Sequence, residues 1–175
     1  MLKALEGIQT QCVAKQDKSA TGHAWSVFLA PNQVVRAAEK LMEAEYSLED
    51  ILALDIEEGF LVLYHFNRWL IDERVTLRVL VSKDNPTVPS IAGVFQGAEW
   101  HERETRDFHG VVFEGNPNLV PLLMPVENAD AFPLLKSAKT RKSIKELLSL
   151  GEIVSCTKGI EDLFAKEEAE EASEA

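Results

Sequence analysis

Apolar residues between 23 and 82 recur with two different spacings, and each spacing predicts a different element. The run from 34 to 46, VVRAAEKLMEAEY, places apolar side chains three and four residues apart, as an amphipathic helix does. The apolar positions of this helix are Val34, Ala37, Ala38, Leu41, Met42 and Tyr46. The run RVTLRVLVS at 74–82 instead alternates with a period close to two, which predicts a half-buried strand.

Three more strands are expected in the same half of the chain. HAWSVFLA at 23–30 is one, and ILALDIEEGFLVLYHFN at 51–67 contains two, split at Glu57, Glu58 and Gly59. Short connections favour antiparallel pairing, because a parallel pair needs a crossover of about a dozen residues or more. The predicted fold is therefore α+β: two layers, with a small, mainly antiparallel sheet and helices on one face.

The second half of the chain is rich in residues that interrupt regular structure. After the turn at 82–90, a helix is expected from near Ser90, or further on, to about Phe108, with Gly110 where a helix commonly ends. Glycine and prolines then exclude any long element up to residue 133. The result is an extended, proline-rich arm, with LVPLLMPV at 119–126 as its most apolar part, that must lie on another surface.

The expected organisation has three parts. Residues 1–137 form the α+β domain with its arm, 138–160 contain a C-terminal helix centred on 140–150, and 161–175 form an acidic, disordered tail.

Charge and composition restrict the class of protein. The formal net charge is −11, and the last fifteen residues carry seven acidic groups and one lysine, so −5 remains for residues 1–160. An acidic body without a basic stripe repels phosphate backbones, which argues against nucleic acid as a partner. The sequence shows neither a run long enough to span a membrane nor a secretory signal, and a cytoplasmic location is the expectation.

The two cysteines, Cys12 and Cys156, lie far apart and outside any CxxC pattern. They cannot ligate an iron–sulfur cluster by themselves, and each is expected to be a small buried hydrophobic side chain. No cofactor or metal is expected in the chain.

The nonapeptide HERETRDFH at 101–109 is the strongest candidate for chemistry. A zincin needs a second histidine four residues after the first, but Thr105 stands there, and a di-iron site needs a glutamate three residues before histidine, which is also missing. Glu102, Glu104 and Asp107 could serve as an acid–base pair, so a stand-alone carboxylate enzyme remains an alternative.

Helical spacing offers a simpler explanation of the same residues. Glu99 and Arg103, Glu102 and Arg106, and Arg103 and Asp107 are each four apart and would pair on a solvated helix face. The apolar arm that follows favours a third interpretation, in which these charges contact a partner subunit beside the arm.

The stretch ERETRDFHGVVFEGNPNL carries a long series of characteristic residues: Glu102, Arg103, Glu104, Asp107, Gly110, Phe113, Gly115, Pro117 and Leu119. This series resembles the signature of the 30 kDa subunit of respiratory complex I, which is shared with the corresponding small subunits of energy-converting membrane-bound nickel–iron hydrogenases. The resemblance runs from about Gln33 to Lys136.

The resemblance implies a non-catalytic subunit without a cofactor. It implies docking on the large hydrogenase-like catalytic subunit, near the iron–sulfur small subunit, on the cytoplasmic side of the membrane and peripheral to it. The nine signature residues would then fix the helix end, its partner contact and the arm. Val120 and Pro121 stand where complex I members usually carry two arginines, which favours the hydrogenase branch, with complex I proper as the alternative.

Overall fold

The computed structural model describes residues 2–148 and 151–164. Within these ranges the strands are β1 (Thr10–Lys15), β2 (Trp25–Leu29), β3 (Ser47–Asp55), β4 (Phe60–Arg68), β5 (Glu73–Val81), β6 (Thr87–Pro89), β7 (Val112–Glu114) and β8 (Glu152–Cys156). The helices are α1 (Lys18–Thr21), α2 (Val34–Glu43), α3 (Ala98–His109), α4 (Ile144–Leu147) and α5 (Lys158–Phe164). Short 3-10 turns occur at Lys3–Leu5, Pro31–Gln33, Trp69–Ile71 and Val126–Asn128.

Six strands form the main sheet in the order β3-β4-β5-β2-β1-β8, and β6 pairs with β7 in a small second sheet. The hairpins β3–β4 and β4–β5 are antiparallel, as their short connections predict. The pairs β2–β5 and β6–β7 are parallel, and each is joined by a long connection that contains a helix. The predicted α+β class with a mainly antiparallel sheet is confirmed.

The main core lies between one face of the sheet and the helices α2 and α3. The helix α2 buries Val34, Ala37, Ala38 and Leu41, the positions that its spacing predicts, whereas Met42 is 44% exposed. Alternate residues of β4 and β5 face this core, so burial of apolar area on a pleated strand stabilises the layer.

The opposite face of the sheet carries a second, smaller core. Phe28, Leu61 and Leu63 contact Ile144 and Ile160, which belong to the short helices α4 and α5. The sheet therefore has helices on both faces, with the two longer ones on the same side.

The C-terminal region differs from the predicted helix over 140–150. Of the described residues there, Ile144–Leu147 is helical, and the following Glu152–Cys156 is a strand that pairs antiparallel with β1. Residues 149 and 150 and the tail from 165 to 175 lie outside the described residues.

The cysteine prediction also needs correction. Cys12 and Cys156 are register partners on β1 and β8 and form a disulfide across 144 residues of sequence. No sequence pattern indicated this bond, because neither β1 nor β8, the strands that carry the two cysteines, was predicted.

Candidate functional site

The charged nonapeptide lies on α3, and several of its charged groups are turned inward. Glu102 and Asp107 are fully buried and Arg103 is 7% exposed. A solvated helix face was the simplest expectation for these residues, and it is wrong for all three. Of the three expected pairs at four-residue spacing, Glu99 and Arg103 approach to 3.9 Å, while Glu102 and Asp107 use their carboxylates elsewhere.

Glu102 joins two loops that flank α3. One carboxylate oxygen accepts hydrogen bonds from the Ser90 hydroxyl at 2.6 Å and the Asn116 amide at 2.7 Å, and the other accepts from the Ile91 backbone N–H at 2.8 Å. Burial raises the pKa of Glu102, and these three donors oppose that rise only in part.

Arg103 and Asp107, one helical turn apart, bind the backbone of the arm, which we define as residues 115–136. Arg103 donates to the carbonyl oxygens of Val120 at 3.0 Å and Pro121 at 3.1 Å. Its guanidinium also lies 5.3 Å from the centre of the Trp100 ring. A planar guanidinium suits two neighbouring acceptors of this kind.

Asp107 binds the next residues of the arm. One carboxylate oxygen accepts from the backbone N–H groups of Leu122, Leu123 and Met124 at 2.7 to 3.0 Å. Burial would raise the pKa of Asp107, but these three donors and the nearby Arg106 outweigh it and hold the pKa below its ordinary value. Arg103 and Asp107 together clamp the arm along five consecutive residues.

The helix α3 ends where the arm returns to it. Gly110 has a φ of +76°, and its N–H donates to the Arg106 carbonyl at 2.8 Å, so it closes the helix in the left-handed conformation. A Cβ at this position would lie 3.1 Å from the ring of Phe132, which belongs to the arm. Glycine at position 110 therefore allows both the left-handed turn that ends α3 and the close approach of Phe132 from the arm.

A third buried carboxylate, which the sequence analysis missed, fixes the far end of the arm. Asp55 accepts from the Lys136 backbone N–H at 2.8 Å, from the Arg141 side chain at 2.9 Å and pairs with Lys83 at 2.7 Å. Burial would raise the pKa of Asp55, and these partners hold it below the ordinary value. An acidic residue at an inward position of a strand, after ILAL, was the available signal.

The arm exposes its apolar side chains although its backbone is held. We define the apolar surface as the exposed side chains of Trp100 and the arm: Trp100 58%, Val120 49%, Leu123 58%, Val126 78%, Leu134 51% and Leu135 42%. Scattered exposed apolar residues are common on proteins, but a series of them along one segment beside a charged helix is typical of an interaction surface.

Comparison with known proteins decides the family. The family model described as respiratory-chain NADH dehydrogenase, 30 Kd subunit, matches residues 27–143. The chain belongs to this family. The resemblance seen in the α3 region is thereby confirmed, and with it the prediction of a subunit of a multi-subunit respiratory oxidoreductase.

Two relatives are named as a subunit of NADH-quinone oxidoreductase. The protein of Roseiflexus sp. (strain RS-1) is 38% identical over 118 residues, which are 63% of this chain and 67% of the relative. The protein of Roseiflexus castenholzii is 40% identical over the same shares of the two chains. A chain of the membrane-bound sulfane sulfur reductase, an archaeal respiratory membrane complex, shares the fold with a TM-score of 0.66 at 18% identity, over 83% of this chain and 85% of that one.

The structure brings the nine family-motif residues into one region but gives them different surroundings. Phe113 is buried in the main core and Leu119 packs against it, whereas Pro117 is exposed at the start of the arm. Gly115 has a φ of +89°, and a Cβ added there would have no atom within 4 Å. Glycine is therefore needed at this position for its left-handed backbone conformation and not for a close contact with a neighbour. Glu104 is half-buried and faces a groove of about 390 Å³ between α3 and β3, which His101 also lines.

Two negative findings apply to the described residues. No group of three or more His, Cys, Asp or Glu side chains able to hold a metal comes together within 2–148 and 151–164. No helix in the same ranges has the length and hydropathy to cross a bilayer.

Proposed function

We propose that this chain is a non-catalytic subunit of an NADH-quinone oxidoreductase of the complex I type, which docks through its arm on the large catalytic subunit. One observation carries the proposal: α3 clamps the arm backbone while the apolar side chains of Leu123 and Val126 remain exposed. A partner that covers these side chains gains apolar burial without ordering the arm anew, which reduces the entropic cost of binding.

The names of the relatives favour the quinone branch over the hydrogenase branch that the sequence analysis preferred. One observation still favours the hydrogenase branch: Val120 and Pro121 stand where complex I members usually carry two arginines. In either branch the proposed position is peripheral, on the cytoplasmic side of the membrane, beside the large subunit and the iron–sulfur small subunit.

A stand-alone carboxylate enzyme is disfavoured by the surroundings of its proposed catalytic groups. Glu102 and Asp107 are fully buried, and each accepts three hydrogen bonds from the protein's own donors. Carboxylates enclosed in this way cannot reach a substrate. Glu104 alone of the three faces a groove.

The test is purification of the tagged chain from mildly solubilised native membranes, in the wild-type form and as the double variant Leu123→Ser, Val126→Ser. Wild type should recover a large complex, and the double variant should lose it while its urea unfolding curve stays within about 0.5 kcal/mol of wild type. Met42→Ser, at an exposed apolar position on α2, is the control that should keep the complex.

The recovered complex also separates the two branches. Iron with quinone reductase activity and no nickel supports the complex I type, whereas nickel with hydrogen evolution supports the hydrogenase type. A wild-type chain recovered alone, or a double variant that keeps all its partners, would contradict docking through the arm.

A further inference from the structure

The groove between α3 and β3, which Glu104 faces, is not used by the docking proposed above. It has a volume of about 390 Å³ and is lined by residues 50–53 of β3, by one side of α3 and by Leu134 of the arm. Leu134 is 51% exposed and belongs to the apolar surface, so the groove opens beside the surface proposed to meet the large subunit. A partner that covers the apolar surface therefore lies within reach of the groove.

Glu104 differs from the other three carboxylates of α3. The carboxylate of Glu99 lies 3.9 Å from the guanidinium of Arg103. Glu102 and Asp107 each accept three hydrogen bonds. Glu104 is half-buried, yet its carboxylate has neither a hydrogen bond nor an ion pair with the described residues. No lysine or arginine of the described residues lines the groove, so the chain supplies no cation there.

The groove is not suited to the addition of a further strand. β3 stands at one end of the six-stranded sheet, where an edge can in principle accept another strand. Here the Thr105 hydroxyl donates to the Ile51 carbonyl at 3.2 Å, and Ile51 and Ala53 are only 3% and 4% exposed. The helix α3 thus covers this stretch of the edge, and an occupant of the groove must bind through its side chains.

The lining of the groove indicates which kind of side chain it accepts. Leu52 and Leu134 are partly exposed and supply apolar contacts. The other carboxylate of the lining, Asp50, is bound to the His65 ring at 2.5 Å, which leaves Glu104 for a ligand. Lysine and arginine combine an apolar stem with a cationic head, and this combination suits an apolar groove with one unpaired carboxylate.

We propose that the groove between α3 and β3 receives a lysine or arginine side chain of the docked large subunit. The cationic head pairs with the Glu104 carboxylate, and the stem lies along Leu52 and Leu134. This proposal rests on the docking proposed above, because the basic side chain belongs to the same partner. The arm then supplies apolar area, and the ion pair at Glu104 fixes the orientation in which the partner binds.

The first test measures recovery of the complex by the tagged full chain from mildly solubilised native membranes. Glu104→Lys places a cation against the proposed cation, and Glu39→Lys makes the same change of charge at an exposed position of α2 outside the groove. The expected result is that Glu104→Lys loses the complex and that Glu39→Lys keeps it. Because Glu104 has no partner within the described ranges, the urea unfolding midpoint of Glu104→Lys should match wild type.

The second test identifies the side chain that enters the groove. A photoreactive p-benzoylphenylalanine in place of Leu52 should cross-link, in the assembled complex, to a segment of the large subunit that contains a lysine or arginine. Changing that basic residue to glutamate should lose the complex with the wild-type chain. The same change should restore the complex with Glu104→Lys, because the exchanged charges attract each other again.

Two outcomes would overturn the proposal: a complex that Glu104→Lys retains, or a cross-link that is absent or reaches a segment without lysine or arginine. Either would leave Glu104 as a solvated carboxylate. The arm variant Leu123→Ser, Val126→Ser separates the two proposals. If the arm variant loses the complex and Glu104→Lys keeps it, the groove proposal alone fails. The opposite result would reject docking through the arm and support the groove as a contact.

Discussion

The arm and the C-terminal segment, residues 144–164, both lack long helices in the described part of the chain, yet they use their apolar side chains in opposite ways. The arm backbone accepts hydrogen bonds from Arg103 and donates hydrogen bonds to Asp107, and the arm's Leu123 and Val126 are exposed. The C-terminal segment buries Ile144 and Ile160 against the second face of the sheet. The C-terminal segment completes the core, and the arm presents a surface.

This difference shows how a protein can prepare an apolar surface without burying it. Hydrogen bonds between the backbone and buried charged side chains fix the path of a chain and leave the chain's own side chains free to contact something else. A segment that is held by its own apolar side chains, as Ile144 and Ile160 hold the C-terminal segment, has those side chains in the core and not at a surface. The way a segment is attached therefore indicates whether it belongs to the core or to an interface.

Breaking the disulfide should lower the free energy of unfolding more than any other change, and the C-terminal segment should lose most of its protection from hydrogen exchange. Cys12 and Cys156 join the two ends of the described chain across 144 residues, and closing a long loop restricts the unfolded state. Cys156→Ser is expected to cost about 3 kcal/mol in urea unfolding, and hydrogen exchange in β8 should rise. A reductant should bring wild type to the level of the variant. An unfolding midpoint that does not respond to the reductant would contradict this prediction.

Releasing the arm should have the second largest effect. Asp107→Ala removes the acceptor of three backbone N–H groups and is expected to cost about 2 kcal/mol, with faster hydrogen exchange at 122–124. The control is Asp130→Ala, because Asp130 is largely exposed and lies 3.8 Å from Arg106; it should change stability by no more than about 0.5 kcal/mol. Equal losses in the two variants would mean that Asp107 does not hold the arm.

The sequence predicted elements whose signal is local. The helix α2 and the strands β3, β4 and β5 carry periodic apolar patterns, and all four were found, because burial on one face dictates the spacing. The strands β1 and β8 were missed. β8 is short and largely exposed, and its place depends on a pairing with β1 far away in the sequence.

Dependence on residues far away in the sequence also explains why the predicted ion pairs of α3 were wrong. Spacing along a helix indicates which side chains can pair with each other, and it suggested Glu102 with Arg106 and Arg103 with Asp107. The observed partners of Arg103 and Asp107 are backbone groups of the arm, fifteen to eighteen residues away, and Glu102 joins the loops before and after the helix. A family motif located these residues, but only the tertiary structure shows that they bind the arm.

A smaller effect is expected where the arm approaches the end of α3. Gly110→Ala places a Cβ in the left-handed region and 3.1 Å from Phe132, so it should cost about 1 to 2 kcal/mol. Gly115→Ala meets no neighbour within 4 Å and should cost less, about 1 kcal/mol, from its backbone conformation alone. Urea unfolding of both variants measures the difference, which reports the contact with Phe132. Equal costs would mean that the ring moves away freely.

The smallest effect concerns the pH dependence of stability, where Glu102 and Asp107 should act in opposite directions. The pKa of Asp107 is held below 3.8 in the folded protein, so its contribution to stability is complete above pH 3.8 and is lost as the pH falls through the lower folded value. Burial raises the pKa of Glu102 above 4.5, so the folded state binds this proton more tightly and stability is gained as the pH falls towards 4.5.

Glu102→Gln should therefore remove that gain above pH 4.5 and leave the loss below pH 3.8 in place. His23 and His109 have pKa values lowered by burial, so they reduce stability as the pH falls below 6.5 and mask the gain in wild type alone. The informative quantity is the difference between the unfolding free energies of wild type and Glu102→Gln, measured from pH 7 to pH 4.5. This difference should shift in favour of wild type as the pH falls, because the glutamine cannot take up the proton. A difference that stays constant over that range would mean that the Glu102 carboxylate is satisfied as fully by Ser90, Ile91 and Asn116 in the folded protein as by water in the unfolded chain.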